Sequence, residues 1–71
     1  MTDYRVVIER SAAVYREYVV SAGSAPAAEK RVQRLIDAGK IEEGLLGKLV
    51  KETFVADEES DWAIDYIYPP E

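Results

Sequence analysis

Acidic residues are concentrated in the last twenty residues of this 71-residue chain. Residues 52–71 include one Trp, two Tyr and one Phe but no Lys, Arg or His. The acidic residues of this segment are Glu52, Asp57, Glu58, Glu59, Asp61, Asp65 and Glu71. A local negative field steers association with positively charged surfaces and repels nucleic acids and anionic membranes. We therefore expect the function to lie in this segment, with a basic protein as partner and no direct binding of nucleic acid or membrane.

The spacing of the acidic residues indicates what such a partner normally binds. Residues 57–61 hold four carboxylates, and an extended chain would place them about every 4 Å. Phosphates follow one another at roughly 3.4 Å along a nucleic-acid strand, so the segment could occupy a site built for phosphates. Aromatic residues within a polar rim are typical of binding hot spots. The predicted partner-binding residues are Glu52, Asp57, Glu58, Glu59, Asp61, Asp65, Tyr66 and Tyr68.

Other chemistries fit the acidic residues less well. Asp57, Glu59 and Asp61 alternate as oxygen donors do in a calcium loop, but the Gly and the distal Glu that such a loop requires are missing. A glycosidase pair of carboxylates needs a cleft between opposed groups, and a short chain has little room for one. An acidic solvated surface without any partner is the remaining alternative. We predict no metal site, no cofactor and no catalytic residue.

Composition narrows the class of protein further. The chain has neither Cys nor His, so disulfides, thiolate ligands and the commonest general base are excluded. The first 40 residues contain seven basic and five acidic residues (+2), whereas the remainder contains two basic and nine acidic residues (−7). A single small domain, 1–71, is expected, in the cytoplasm, as a monomer or a weak homodimer.

The hydrophobic pattern predicts a small α+β fold. Tyr4, Val6 and Ile8 alternate with polar residues as in a half-buried strand, and a second β-rich run over 14–21 completes an antiparallel hairpin. We expect Tyr18, Val20 and Ala22 to point inward. A helix is predicted from the N-cap Ser24 to about residue 38, with Pro26 in its first turn.

The second half of the chain predicts two more elements. Leucine-rich residues 41–50 have helical spacing despite two glycines, which predicts a short second helix. A last strand is expected over 61–68, with Trp62, Ile64, Tyr66 and Tyr68 on one face and Pro69 ending it. The predicted architecture is a two-layer sandwich, a mostly antiparallel sheet covered by one or two helices. The sequence does not identify the strand that pairs with the last one. Trp62 could lie in the core or contact the partner.

Two resemblances follow from these residues. The pattern Tyr4-x-Val6-x-Ile8-Glu9, then Tyr18-x-Val20-x-Ala22 and a helix from near Pro26 resembles the small DpnD/PcfM-like proteins of mobile elements. That pattern covers the first forty residues, and it transfers no functional residue because residues 41–50 depart from it.

The size, the acidity, the lack of Cys and the hairpin–helix order also resemble phage-encoded anti-CRISPR proteins, particularly inhibitors of type I systems. Several of those act as DNA mimics on the Cascade surveillance complex. The resemblance implies a stoichiometric inhibitor that binds a basic surface of a Cas subunit in the host cell cytoplasm and blocks target DNA. It implies that carboxylates within 52–65 stand in for phosphates, while Tyr66 and Tyr68 pack at the rim.

A function of another class stays open. The chain could be a structural or regulatory accessory module of a mobile element that dimerises through a sheet edge or through the face of residues 41–50. An enzyme that uses Ser or carboxylates alone would need a pocket with perturbed titratable groups, and nothing in the spacing predicts one.

Overall fold

The computed structural model describes residues 1–41, 44, 46–56 and 61–69. The elements in chain order are β1 (Thr2–Arg10), β2 (Val14–Ala22), α1 (Ala25–Asp37), β3 (Lys48–Phe54) and β4 (Ala63–Ile67). All four strands form one antiparallel sheet in the order β3-β2-β1-β4, and α1 packs against one face of it. The predicted α+β class is confirmed, with one helix on a four-stranded sheet.

The hairpin forms the centre of the sheet. Its register runs without interruption from Thr2 opposite Ala22 to Arg10 opposite Val14. Ser11 and Ala12 make the reversal with φ of 51° and 53°, and the Ala13 N–H donates to the Arg10 carbonyl at 3.0 Å. A non-glycine residue in this left-handed region costs roughly 1–2 kcal/mol. The turn is therefore held by the two strands that it joins.

Local signals mark both ends of α1. The hydroxyl of Ser24 accepts a hydrogen bond from the Ala27 N–H at 3.3 Å, as expected of an N-cap. At the other end Gly39 has φ 67°, and the N–H of Lys40 donates to the Leu35 carbonyl at 2.9 Å. This is the left-handed closure of a Schellman motif, which satisfies carbonyls that the helix leaves unpaired. The predicted helix limits are confirmed.

The core lies between α1 and the face of the sheet that we call the helix face; the other side is the open face. Alternation along β1 and β2 sends every second residue inward, so the inward prediction for Tyr18, Val20 and Ala22 is confirmed. The helix adds Ala28 and Val32. The core cluster consists of Tyr4, Val6, Ile8, Tyr18, Val20, Ala22, Ala28, Val32, Ile41 and Leu46.

The predicted second helix over 41–50 is wrong for its last residues, because Lys48, Leu49 and Val50 begin strand β3. Gly47 precedes the strand with φ 152°, and a Cβ atom built on it would lie 2.1 Å from the carbonyl oxygen of Val19. The chain thus passes too close to β2 for a helix at this point. Residues 42, 43 and 45 lie outside the described residues.

The prediction that Trp62, Ile64, Tyr66 and Tyr68 share one face is also wrong. Ile64 lies opposite Ile8 and Tyr66 lies opposite Val7, so the register shifts between them and Asp65 occupies a β-bulge. The extra residue reverses the alternation. Trp62, Ile64 and Ile67 pack against the core, whereas Tyr66 and Tyr68 lie on the open face.

Strand β3 carries a matching irregularity. Leu49 lies opposite Tyr18 and Lys51 lies opposite Glu17, which leaves Val50 as the bulged residue. Both outer strands of the sheet are therefore bulged, and β1 is the neighbour of the last strand. No helix within the described ranges is long and apolar enough to cross a membrane.

Candidate protein-interaction site

Strand β4 presents the most distinctive polar and aromatic surface at a sheet edge. Tyr66 is 53% exposed and Tyr68 is 37% exposed, and their rings meet edge to face with centroids 4.9 Å apart. The guanidinium carbon of Arg5 lies 4.6 Å from the Tyr68 ring centroid. This contact fixes the tyrosine pair on the open face, since a cation over an aromatic ring contributes about 0.5–1 kcal/mol at an exposed site.

The charges of this edge differ from those of Glu17 on β2 and Glu52 on β3. Glu17 lies 3.8 Å from Arg5, and Glu52 lies 2.5 Å from Arg16, so an arginine offsets each of these carboxylates. Asp61 and Asp65 are exposed, and within the described part of the chain no ion pair involves either of them. Glu29 and Asp37 on α1 also lack an ion pair among the described residues, so the β4 edge is distinguished by the exposed tyrosine that directly follows Asp65.

The predicted partner-binding residues do not all lie together. Asp61, Asp65, Tyr66 and Tyr68 follow one another along the β4 edge, while Glu52 lies on β3 at the opposite edge of the sheet. The remaining three, Asp57, Glu58 and Glu59, lie outside the described residues. We call the group Asp61, Asp65, Tyr66 and Tyr68 the β4 patch, and its role in partner binding stays a prediction.

Trp62 has a role that the sequence did not reveal. It is half-buried, and the guanidinium carbons of Arg10 and Arg16 lie 4.8 Å and 4.9 Å from its ring centroid. Arg10 ends β1 and Arg16 lies on β2, so the tryptophan joins the start of β4 to the hairpin. The contact also holds Arg16 beside Glu52. No spacing signal could find it, because the three residues meet only through the sheet register.

A second exposed feature lies at the β3 edge. Every described residue of this strand is exposed, including Leu49 and Val50, and beyond them Phe54 is 62% and Val55 is 71% exposed. The prediction from the helical spacing of residues 41–50 assigned part of this stretch to a helix. An alternative signal was present, because β-branched and aromatic residues between a Gly and an acidic run favour a strand.

The open face carries a shallow depression of about 150 Å³ that reaches across β1, β2 and β3 to Tyr68, the residue after β4. Sites for small ligands usually enclose about 300–1,000 Å³, so the depression is small for a substrate. Among the described residues no three His, Cys, Asp or Glu side chains gather as a metal site would require. The residues that line the depression are Val7, Tyr15, Arg16, Glu17, Lys51, Thr53 and Tyr68.

Comparison of the chain with protein-family models, with curated proteins and with solved structures found no match.

Proposed function

We propose that this protein is a non-enzymatic acidic inhibitor that binds the basic surface of a nucleic-acid-binding protein through the β4 patch. The observation that carries the proposal is the pair of exposed carboxylates, Asp61 and Asp65, which lack an ion pair within the described residues, together with the exposed Tyr66 that directly follows Asp65. By contrast, Glu17 on β2 and Glu52 on β3 face arginines of their own chain. The β4 edge thus combines uncompensated carboxylates with an exposed aromatic ring.

The carboxylates and the tyrosines of the β4 patch would make different contacts with a basic surface. A surface that binds DNA presents Lys and Arg, and carboxylates form charge-assisted hydrogen bonds with both. Exposed tyrosine rings add contacts with arginine side chains through their π faces. Asp57, Glu58 and Glu59 precede the patch in sequence and extend its negative charge along the chain. A protein bound in this way occupies the DNA site and competes with DNA in proportion to its concentration.

The proposed partner class is a Cas subunit of a type I CRISPR effector complex in the host cell cytoplasm. This choice rests on the likeness of size, acidity and element order to anti-CRISPR proteins. The β4 patch supports the charge mimicry in that proposal. Because many subunits that bind DNA present a basic surface, the test uses several type I Cascade complexes.

The experiment measures target-DNA binding by purified Cascade complexes while this protein is titrated in. The informative variant is Asp61→Lys with Asp65→Lys, and Asp57→Lys, Glu58→Lys and Glu59→Lys form a second set. The matched control is Glu29→Lys with Asp37→Lys on α1, which changes the net charge by the same amount at exposed positions. We expect the β4 variant to weaken inhibition about tenfold or more, since close charge pairs contribute over 1.4 kcal/mol.

The control defines what would contradict the proposal. Equal loss in both variants would mean that net charge alone acts, and the β4 patch would have no special part. Unimpaired DNA binding by every complex at saturating protein would refute the proposed partner class. Circular dichroism of each variant verifies that the fold persists.

A second candidate function is a self-associating accessory module of a mobile element. The observation that favours it is the concentration of exposed apolar side chains at β3, since such patches mark association surfaces. Light scattering at high protein concentration tests it, and a strictly monomeric protein would contradict it.

A further inference from the structure

The exposed apolar side chains of the described residues are concentrated at one sheet edge. Apart from Met1 and the two tyrosines of the β4 patch, the large ones are Leu49, Val50, Phe54 and Val55. All four belong to β3 or follow it directly. An edge strand also offers unpaired backbone N–H and C=O groups, and an edge with apolar side chains is a template for another strand.

Strand direction favours the opposite edge of a second copy. Every neighbouring pair in β3-β2-β1-β4 is antiparallel, so β3 and β4 run in opposite directions. When a second copy lies beside the first with its helix on the same side, its β4 therefore meets β3 as an antiparallel partner. The continued sheet keeps one helix-covered face and one open face.

The two bulges select a register. When Leu49 lies opposite Ile67 of the second copy, Glu52 falls opposite Ile64 and Phe54 falls opposite Trp62. Every residue of these three pairs lies on the helix face of its own sheet. Between the first two pairs each strand has two residues, so the bulge of one strand is matched by the bulge of the other, and between the last two pairs each strand has one.

Backbone hydrogen bonds agree with this register. The N–H of Val55 donates inward to Ala13 at 2.7 Å, and the N–H of Tyr68 donates inward to Arg5 at 2.9 Å. Because inward and outward groups alternate along an antiparallel strand, the neighbours Phe54 and Ile67 direct their backbone groups outward. The outward groups of both edges thus belong to helix-face residues, as the pairing requires.

The side chains at the pairing are complementary. Lys51 of one copy meets Asp65 of the other, and Lys48 meets Tyr68 on the open face, where a cation–π contact can form. Leu49 meets Ile67 on the helix face. Glu52, whose charge Arg16 already offsets, meets Ile64. No pair places like charges opposite each other.

We propose that β3 of one copy pairs with β4 of a second copy, head to tail, in this register. The assembly goes beyond the inhibitor function and gives the self-associating module its geometry. Because the two contacting surfaces differ, each dimer keeps a free β3 edge and a free β4 edge and can add further copies. The contact is one short strand pair, so association is weak and grows with protein concentration.

The experiment uses two variants of the full chain, each blocked at one edge. Leu49→Lys with Phe54→Lys blocks the β3 edge, and Asp65→Lys with Tyr68→Lys blocks the β4 edge. Sedimentation velocity over rising concentration should show wild-type oligomers beyond a dimer. Each variant alone should need at least tenfold higher concentration to associate. An equimolar mixture should form a one-to-one dimer and nothing larger, because each partner supplies the edge that the other lacks.

Each other result overturns the proposal. A wild-type protein that stays monomeric near millimolar concentration shows that the edges do not pair. A β4-blocked variant that still dimerises alone shows that β3 pairs with β3. Variants that associate no better together than apart show that the register is wrong, and circular dichroism verifies that both are folded. Inhibition of DNA binding by the β3-blocked variant is a separate readout, since that variant keeps all four residues of the β4 patch.

Discussion

At the residue scale, Gly47 determines how β3 joins the sheet. Its α carbon approaches β2 so closely that an added Cβ would lie 2.1 Å from the Val19 carbonyl oxygen and 3.2 Å from the carbonyl carbon. The atoms in the way are backbone atoms, which cannot rotate aside as the end of a side chain would. Its φ of 152° is also outside the range that other residues adopt readily.

Gly47→Ala should destabilise the fold by about 3 kcal/mol, since the methyl group forces β3 away from β2 and the backbone conformation is strained. Urea unfolding followed by circular dichroism measures the loss. Gly23→Ala is the control, because no atom lies within 4 Å of the Cβ that it would gain. A loss below about 1 kcal/mol for Gly47→Ala would show that the edge strand shifts freely.

At the element scale, the hairpin and the helix were predictable because their signals are local. Alternation in β1 and β2, the Ser24 cap and Gly39 after the helix each act within a few residues. The bulges were not predictable, since a bulge is defined by the partner strand. Asp65 is extra only because Ile64 and Tyr66 lie opposite the consecutive residues Ile8 and Val7.

The candidate site was predictable in part for the same reason. Its residue types follow from the acidic and aromatic composition, which needs no fold. Which residues belong to the site does not follow from composition. Glu52 contacts Arg16, 36 residues away in sequence, and this ion pair removes Glu52 from the uncompensated carboxylates. The division of residues between the two sheet edges is likewise a product of topology.

The bulge at Asp65 gives an element-scale prediction. Deleting Asp65 should produce a regular strand in which Trp62, Ile64 and Ile67 still point to the core, so the stability loss should be about 1 kcal/mol or less. Deleting Ala63 is the control, because it turns either Trp62 or Ile64 outward and should cost about 2 kcal/mol or more. Urea unfolding compares the stability of the two variants. Equal losses of stability would show that the bulge does not determine which β4 side chains point to the core.

At the scale of the whole molecule, charge is distributed unevenly over a small body. The chain has a net charge of −5, yet its first 40 residues are net positive, and the helix exposes Lys30, Arg31 and Arg34. The dimensions are 34 × 24 × 17 Å, so opposite charges lie within a few Debye lengths of each other. The molecule should approach a basic partner in a preferred orientation, with the β4 patch leading.

That orientation predicts a salt-dependent association rate. Between about 0.01 M and 0.15 M salt the screening length falls from about 30 Å to about 8 Å, so the rate of binding to the proposed Cascade partner should fall about tenfold. The dissociation rate, set by contacts within the interface, should change much less. Surface plasmon resonance on immobilised complex measures both rates.

The matched variant for this test is Asp61→Asn with Asp65→Asn, which keeps the side-chain shape and removes two charges. Its association rate should be lower at low salt and should fall less steeply as salt is added, so the two salt curves converge. Parallel curves would show that the carboxylates of the β4 patch do not steer the encounter. Steering would then come from the charge of the whole molecule, which the Glu29→Lys with Asp37→Lys variant would reveal by flattening the curve instead.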